Sequence, residues 1–269
     1  MAIGGSAVGI AFEDRIYGQE TANWAAQSVG QDIANLVAYP ILLLLLALLA
    51  ARGSVRAYLA WTGVLAYSAY TYAIYAFDIH FGPLFLAWVA VFGLSAYALI
   101  GALAVIDPMR VRASFSGEAP RRSTGGLLIG IGAVFALLWV SEIIPSLFSG
   151  TAPEVVREAG LPTNPVHVLD LALLLPAAIA AGVLLMRGRA WGYVLAPTIL
   201  VAMSVLALGI VSLMVVLSVR GEAGSLGVGV GIGVLGVAEV VVAVRFLRAL
   251  DPRTNLGDVV RSAGESSHG

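Results

Sequence analysis

The residues of this sequence that could carry chemistry are a small set of ionisable side chains in or beside long apolar segments. An ionisable group inside hydrocarbon costs roughly 2.5–3.5 kcal/mol on insertion scales, so each one is a candidate functional residue. All but one stand at segment ends that we expect on the same side of a membrane, where they could form one acidic, histidine-containing pocket. The set consists of Asp32, Asp78, His80, Glu142, His167, Asp170 and Glu239.

Two pairs in this set combine histidine with aspartate. His167 and Asp170 are spaced i, i+3 and would share one face of a helix, while Asp78 and His80 close another segment. Brought together, these four side chains would offer two imidazoles and at least two carboxylates, a ligand set that suits zinc, iron or manganese. The alternative is that they are helix-end residues in contact with water, where the helix dipole favours an acid in the first turn.

Tyrosines form a stripe along the second apolar segment. Tyr67, Tyr70, Tyr75 and Asp78 fall within an arc of roughly 140° at the helical period of 100° per residue. Such a stripe could line a hydrated or substrate-binding cavity; alternatively, the phenols hydrogen-bond neighbouring helices or belong to an aromatic belt. The predicted pocket for a solute or ion comprises Asp32, Tyr67, Tyr70, Tyr75, Asp78, Glu142, Asp170 and Glu239.

Glu239 stands alone inside the last apolar segment, beside a track formed by Gly229, Gly233 and Gly236. Arg245 is about 9 Å further along a helix axis, which is too far for an ion pair on one helix. Glu239 is therefore either a proton or cation site, or a structural residue that bonds to a neighbouring helix or to an arginine reached by snorkelling.

Glycines spaced four residues apart predict close helix–helix packing. They also lead us to expect a partner subunit or a second copy of the chain at these faces. The pairs are Gly227 and Gly231, Gly229 and Gly233, and Gly126 and Gly130.

The elements that must position these residues are transmembrane helices. The 269 residues are 59% apolar and 12% charged, against roughly 45–50% and 25% in soluble domains. This composition excludes a soluble enzyme, a nucleic-acid-binding protein and a disordered chain. Apolar segments of about 20 residues predict an all-α polytopic fold of seven transmembrane helices, at 32–51, 57–77, 84–105, 125–147, 166–186, 190–219 and 225–247.

The arginines predict the orientation, because cytoplasmic loops are rich in basic residues. With the N-terminus outside, twelve arginines lie on the inner side and three on the outer side. We therefore expect an outer segment at 1–31, containing a short interfacial helix, a seven-helix domain at 32–250 and a cytoplasmic tail at 251–269. The bilayer is the expected environment, in the plasma membrane.

The sequence also suggests a parallel repeat of three helices, one connecting helix and three helices. The first predicted helix ends in Arg52-Gly53 and the fifth in Arg187-Gly188. Each has a proline about three turns earlier, and each is followed by a second arginine and an aromatic residue. Parallel repeats of this kind occur in transporters, although short basic loops are common in all membrane proteins.

Two residue types that are absent limit the chemistry. The chain has no cysteine, and all 15 basic residues are arginine. A retinal Schiff base, which needs a lysine, is therefore excluded. Three functions remain: a transporter or channel for a small solute or cation, which we favour; a membrane-embedded enzyme, with or without a divalent metal, near the outer leaflet; and a structural or sensory subunit.

Overall fold

The computed structural model describes residues 1–115, 117, 119–222 and 224–260, and all regular elements in these ranges are helical. A π-helical turn, Asp170–Leu174, joins α10 to α11. Arg261, His268 and the rest of the predicted tail from 261 lie outside the described residues. The α-helices are α1 (Ala2–Ala11), α2 (Glu13–Tyr17), α3 (Ala22–Val37), α4 (Tyr39–Ala51), α5 (Val55–Asp78), α6 (Phe85–Val105), α7 (Pro108–Ala113), α8 (Arg121–Ser149), α9 (Glu154–Ala159), α10 (Pro165–Leu169), α11 (Leu175–Met186), α12 (Ala190–Arg220), α13 (Leu226–Arg248) and α14 (Leu256–Val259).

In the described ranges, six helical stretches are long and apolar enough to cross a membrane, which indicates a multi-pass membrane protein, and the fold of these ranges is all-helical. They account for six of the seven predicted spans. They are Ala22–Ala51, Phe85–Val105, Arg121–Ser149, Pro165–Met186, Ala190–Arg220 and Leu226–Arg248.

The predicted second span, 57–77, is a helix but is not among these six. It corresponds to α5, whose 24 residues extend about 36 Å. The helix carries five tyrosines and several hydroxyl residues, which lower its apolar character. More than half of its residues are buried within the protein, so its polar side chains contact other helices and not lipid.

The first predicted span begins earlier than expected, at Ala22 and not at residue 32. The Thr21 hydroxyl caps the helix by accepting a hydrogen bond from the Trp24 amide (3.2 Å). The predicted interfacial helix is therefore the first part of a long stretch that bends at Ala38, two residues before Pro40. The polar residues of this part led us to expect an outer segment. In the structure they are buried against other helices, which the sequence does not reveal.

One end of the bundle contains the arginine-rich loops. Isolated antiparallel bridges tie the chain at residues 54, 106 and 115 to the segment 250–260. The Arg56 guanidinium donates to the Leu250 carbonyl, and Arg121 lies beside Gly188. We call this the basic end.

The opposite end carries acidic side chains. Glu20 accepts hydrogen bonds from the His80 amide (2.8 Å) and contacts its ring, and Glu13 pairs with Arg220. We call this the acidic end. Since α5 starts at the bridge of Ser54 and is followed by His80, it runs the full length of the bundle between the two ends.

The two halves of the interior differ in chemistry. Near the basic end the core is apolar, and its fully buried side chains include Leu59, Ile106, Leu128, Leu185 and Phe246. Near the acidic end, the buried side chains are aromatic and polar. The polar ones include Asn23, Ser28, Asp32, Asn35, Thr71, His167 and Asp170.

The glycines of α13 pack as predicted on one face only. A Cβ added at Gly236 would lie 2.8 Å from the Ala207 Cβ on α12, and Gly229 and Gly233 also face α12. By contrast, Gly231 has nothing within 4 Å among the described residues. The described residues therefore supply no contact at Gly231, and association with a second subunit there stays a prediction.

On α8 the packing face differs from the prediction. Gly126 and Gly130 face open space in the described part of the chain, while Gly125 and Gly132 contact α11. The backbones of α8 and α11 approach closely, because a Cβ at Gly182 would lie 2.6 Å from the Gly125 carbonyl oxygen. Periodicity found the glycine-rich helix but not which side of it faces the protein.

Candidate functional site

The most buried carboxylate of the acidic half is Asp32 on α3, which is 1% exposed. It accepts a hydrogen bond from the Tyr17 hydroxyl (2.6 Å) and another from the Tyr75 hydroxyl (3.0 Å). Among the described residues no arginine or histidine pairs with it. Asp32 is therefore a buried acid whose partners are neutral hydroxyls.

Tyr17 comes from the short helix α2. Burial and the neighbouring Asp32 carboxylate raise the pKa of Tyr17 well above its ordinary value, so the phenol remains a hydrogen-bond donor at neutral pH. The adjacent helix α1 packs closely as well, because a Cβ at Gly9 would collide with the Asp32 carboxylate. The two N-terminal helices thus cover Asp32 from one side.

Aromatic rings are connected around this carboxylate. Trp88 on α6 lies parallel to Tyr17, with ring centroids 6.5 Å apart and planes at 9°. Trp88 also contacts Tyr75 (5.4 Å), which in turn stacks on Tyr72 (5.5 Å). Four rings, two of them hydrogen-bonded to Asp32, make up what we call the aromatic cluster: Tyr17, Tyr72, Tyr75 and Trp88.

A pocket of about 310 Å³ lies at the acidic end. It has four carboxylates against one guanidinium, and Tyr17 is part of its lining. Its charged lining residues are Glu13, Asp14, Glu20, Glu222 and Arg220.

A second buried carboxylate, Asp170, lies at the start of the π-helical turn. It accepts hydrogen bonds from the Tyr70 hydroxyl (2.9 Å) and from the Trp139 indole (2.8 Å). π-Helical turns within helices are frequent at functional sites. Since Tyr70 and Tyr75 belong to the same helix, α5 connects Asp170 with Asp32.

His167 and Glu142 belong to the Asp170 site. The His167 ring lies 4.6 Å from the Trp139 ring, and its Nε2 is 3.7 Å from the Glu142 Oε2. His167 also lines a mainly apolar pocket of about 480 Å³ between α8 and α10.

Asp78 and His80 form a separate group at the surface. His80 pairs with Glu20 (2.9 Å), and the Asp78 carboxylate is close enough to the same glutamate to be repelled by its charge. The predicted metal site of His80, His167, Asp170 and Asp78 is therefore not assembled. The two histidines have different carboxylate partners, and among the described residues no three histidine or acidic side chains are arranged so that they could hold a metal ion.

The predicted tyrosine stripe bonds to neighbouring helices. The Tyr67 hydroxyl donates to the Asn35 side chain (2.7 Å) and accepts from the Gln31 amide (2.7 Å). Together with the Tyr70 and Tyr75 bonds, this agrees with the interhelical alternative. The phenols thus hold polar groups of α3 and of the π-helical turn in place.

No protein-family model, curated protein or solved structure matches this chain. Its function must therefore be argued from its own residues.

Glu239 lies apart from both carboxylate sites. It is 2% exposed, so it faces protein as its position beside the glycine track predicts. Its Oε2 has no hydrogen-bond partner among the described residues. The structural alternative predicted a hydrogen bond from Glu239 to a neighbouring helix, and Oε2 makes no such bond with the described residues.

Three residues of the site were missed by sequence reasoning. Tyr17 and Trp139 each donate to a buried aspartate, and Glu20 pairs with His80. Tyr17 and Glu20 precede the apolar segments, and an indole inside a span is indistinguishable from a packing residue. The high aromatic content of these segments could have pointed to Trp139 alone.

Proposed function

We propose that this protein is a membrane carrier for a small cation or another small polar solute, with its binding site in the half of the bundle near the acidic end. The observation that carries the proposal is the pair of buried carboxylates, Asp32 and Asp170, held by tyrosines of one central helix. Ionisable groups inside a membrane bundle mark substrate and ion pathways.

A carrier fits the two halves of the interior better than an open channel does. The acidic half contains polar groups and an acidic pocket of about 310 Å³ at its surface. The basic half is filled by packed apolar side chains, which close the path on that side. Passage through the protein would require this core to rearrange, as in alternating access.

The proposal includes seven spans, of which α5 is the one added to the six apolar stretches. The helix runs between the two ends of the bundle, and the polar side chains that make it less apolar than the other six are mostly buried within the protein. With the basic end cytoplasmic, the N-terminus and the acidic pocket lie outside, as in a plasma-membrane protein.

The parallel repeat is also part of the proposal, and two turns support it. At the first turn, the backbone amides of Gly53 and Ser54 donate to the carbonyl oxygens of Ala50 and Leu49, respectively. At the second turn, the amides of Gly188 and Arg189 donate in the same pattern to the carbonyl oxygens of Leu185 and Leu184. Both glycines have a positive φ, 94° and 66°, which favours glycine because it has no Cβ.

Transport by the purified protein in liposomes tests the proposal. Uptake of a panel of inorganic and organic cations is measured in the wild type and in Asp32→Asn and Asp170→Asn. Each substitution keeps the side-chain size and removes the charge, so we expect uptake to fall at least tenfold. Glu154→Gln is the matched control, because the Glu154 side chain is 76% exposed at the same end.

Uptake by the wild type and both aspartate variants that equals the uptake of protein-free liposomes would contradict the proposal. The alternative of a membrane-embedded enzyme and that of a structural or sensory subunit would then stand in its place.

A further inference from the structure

The chemistry around Asp32 indicates which cation it would hold, an inference that rests on the proposed function. Asp32 is 1% exposed and its observed partners are two phenols. An unpaired buried charge is strongly unfavourable. Asp32 must therefore be neutralised, either by a proton or by a bound cation.

The ligand set around Asp32 is unsuited to a hard metal ion. Such ions prefer several oxygen ligands, with carboxylates and carbonyls in the majority. Asp32 contributes a single carboxylate, and in the described part of the chain no three acidic or histidine side chains are arranged so that they could hold a metal ion.

Aromatic rings lie beside Asp32 instead, and withdrawal of Tyr17 would expose the face of Trp88 on which it stacks. Trp88 and Tyr75 have ring centroids 5.4 Å apart, and Trp88 and Tyr17 have parallel rings at 6.5 Å. Aromatic faces attract quaternary and substituted ammonium ions through cation–π interactions, and tryptophan does so best. A carboxylate beside several rings is the combination that recognises an alkylated ammonium group.

A route to this site would start at the acidic pocket, whose lining includes Tyr17. The acidic pocket would concentrate cations at the surface, and Tyr17 separates it from Asp32. Tyr17 lies on a helix of five residues, which is joined to the end of α12 by the half-exposed ion pair of Glu13 and Arg220. Movement of α1 and α2 would withdraw the Tyr17 hydroxyl and open Asp32 to the pocket.

We propose that Asp32 and the aromatic cluster bind an organic ammonium ion, which enters from the acidic pocket when the two N-terminal helices move aside. The ion replaces the Tyr17 hydroxyl as the partner of the carboxylate. The rings of Trp88 and Tyr75 contact its alkyl groups.

Binding of tetramethylammonium to the full-length protein in detergent tests this proposal, with sodium and potassium chloride at equal ionic strength as references. We expect tetramethylammonium alone to raise the melting temperature. Asp32→Asn should abolish the effect. Trp88→Leu should weaken binding roughly tenfold, because it removes one aromatic face and keeps the carboxylate.

Two further variants separate binding from folding. Tyr75→Phe keeps the ring and should keep binding within a few-fold. Trp61→Leu, a tryptophan near the basic end that contacts Tyr58, is the matched control and should leave binding unchanged. Equal losses in Tyr75→Phe, Trp88→Leu and Trp61→Leu would overturn the role of the aromatic cluster.

The outcomes distinguish the two proposals. Asp32-dependent transport of sodium, potassium or protons without tetramethylammonium binding would overturn the ammonium site and leave the carrier intact. Asp32-dependent binding of tetramethylammonium without transport of any cation would support the ammonium site and overturn the carrier.

Discussion

At the scale of single residues, the sequence identifies the acids but not their partners. Asp32, Asp170 and Glu239 were all predictable, because a charge inside an apolar segment is conspicuous. The partner of Asp32, Tyr17, is 15 residues away, and the Asp170 partner Tyr70 is 100 residues away. Such pairs depend on how helices are arranged, and one sequence carries no direct signal of that arrangement.

The two buried aspartates and Glu239 differ in how their oxygens are satisfied. Both oxygens of Asp32 and both oxygens of Asp170 accept hydrogen bonds. By contrast, Glu239 Oε2 is buried without a partner in the described part of the chain. A buried acceptor left unpaired costs roughly 1–3 kcal/mol, so a purely structural role for Glu239 is poorly supported.

Glu239→Gln is therefore expected to reduce transport without reducing stability. Glutamine keeps the size of the side chain and removes the charge, so the melting temperature should stay within about 2 °C of the wild type. Transport should fall at least tenfold if Glu239 carries a proton or cation. Liposome uptake and melting curves on the same preparation measure both quantities.

Glu158→Gln is a control for the loss of one carboxylate at the surface of α9. Normal transport by Glu239→Gln together with a lower melting temperature would show that the residue is structural.

At the scale of elements, the helices were predictable and their faces were not. The predicted segments 84–105, 190–219 and 225–247 lie within about one residue of α6, α12 and α13. Long apolar runs bounded by charge define such helices strongly. The start of α3 was placed wrongly because its polar residues are buried against other helices.

Gly182→Ala is expected to destabilise the protein, because the backbones of α8 and α11 cross there. The added Cβ would lie 2.6 Å from the Gly125 carbonyl oxygen, and backbone cannot give way as a side chain can. Overpacking of this kind costs roughly 1–3 kcal/mol. Unfolding in mixed micelles, followed by circular dichroism, measures the change.

Gly130→Ala on α8 is the matched control, because an added Cβ there meets nothing within 4 Å. It should be neutral or stabilising by up to about 1 kcal/mol, since alanine favours helix more than glycine does. Equal destabilisation by both variants would contradict the close crossing at Gly182.

At the scale of the whole molecule, the arginine count and the contacts lead to the same division into two ends. At one end of the bundle, the arginine-rich loops near residues 54, 106 and 115 pair with the segment 250–260. At the other end, Glu13 pairs with the last residue of α12 and Glu20 with His80, which follows α5. The sequence alone predicted this grouping because loop charge alternates along the chain. What it could not predict was that α5, the least apolar long helix, lies in the interior.

Cysteine labelling tests the sidedness and the seventh span together, because the chain has no cysteine of its own. Single variants are made at three exposed positions: Phe81→Cys at the acidic end, and Arg52→Cys and Arg253→Cys at the basic end. If α5 spans the membrane and the basic end is cytoplasmic, a membrane-impermeant maleimide should label Phe81→Cys in intact cells. It should label Arg52→Cys and Arg253→Cys only after permeabilisation. Labelling of Arg52→Cys and Phe81→Cys from the same side would mean that α5 does not cross the membrane, and labelling of Arg52→Cys and Arg253→Cys without Phe81→Cys in intact cells would reverse the orientation.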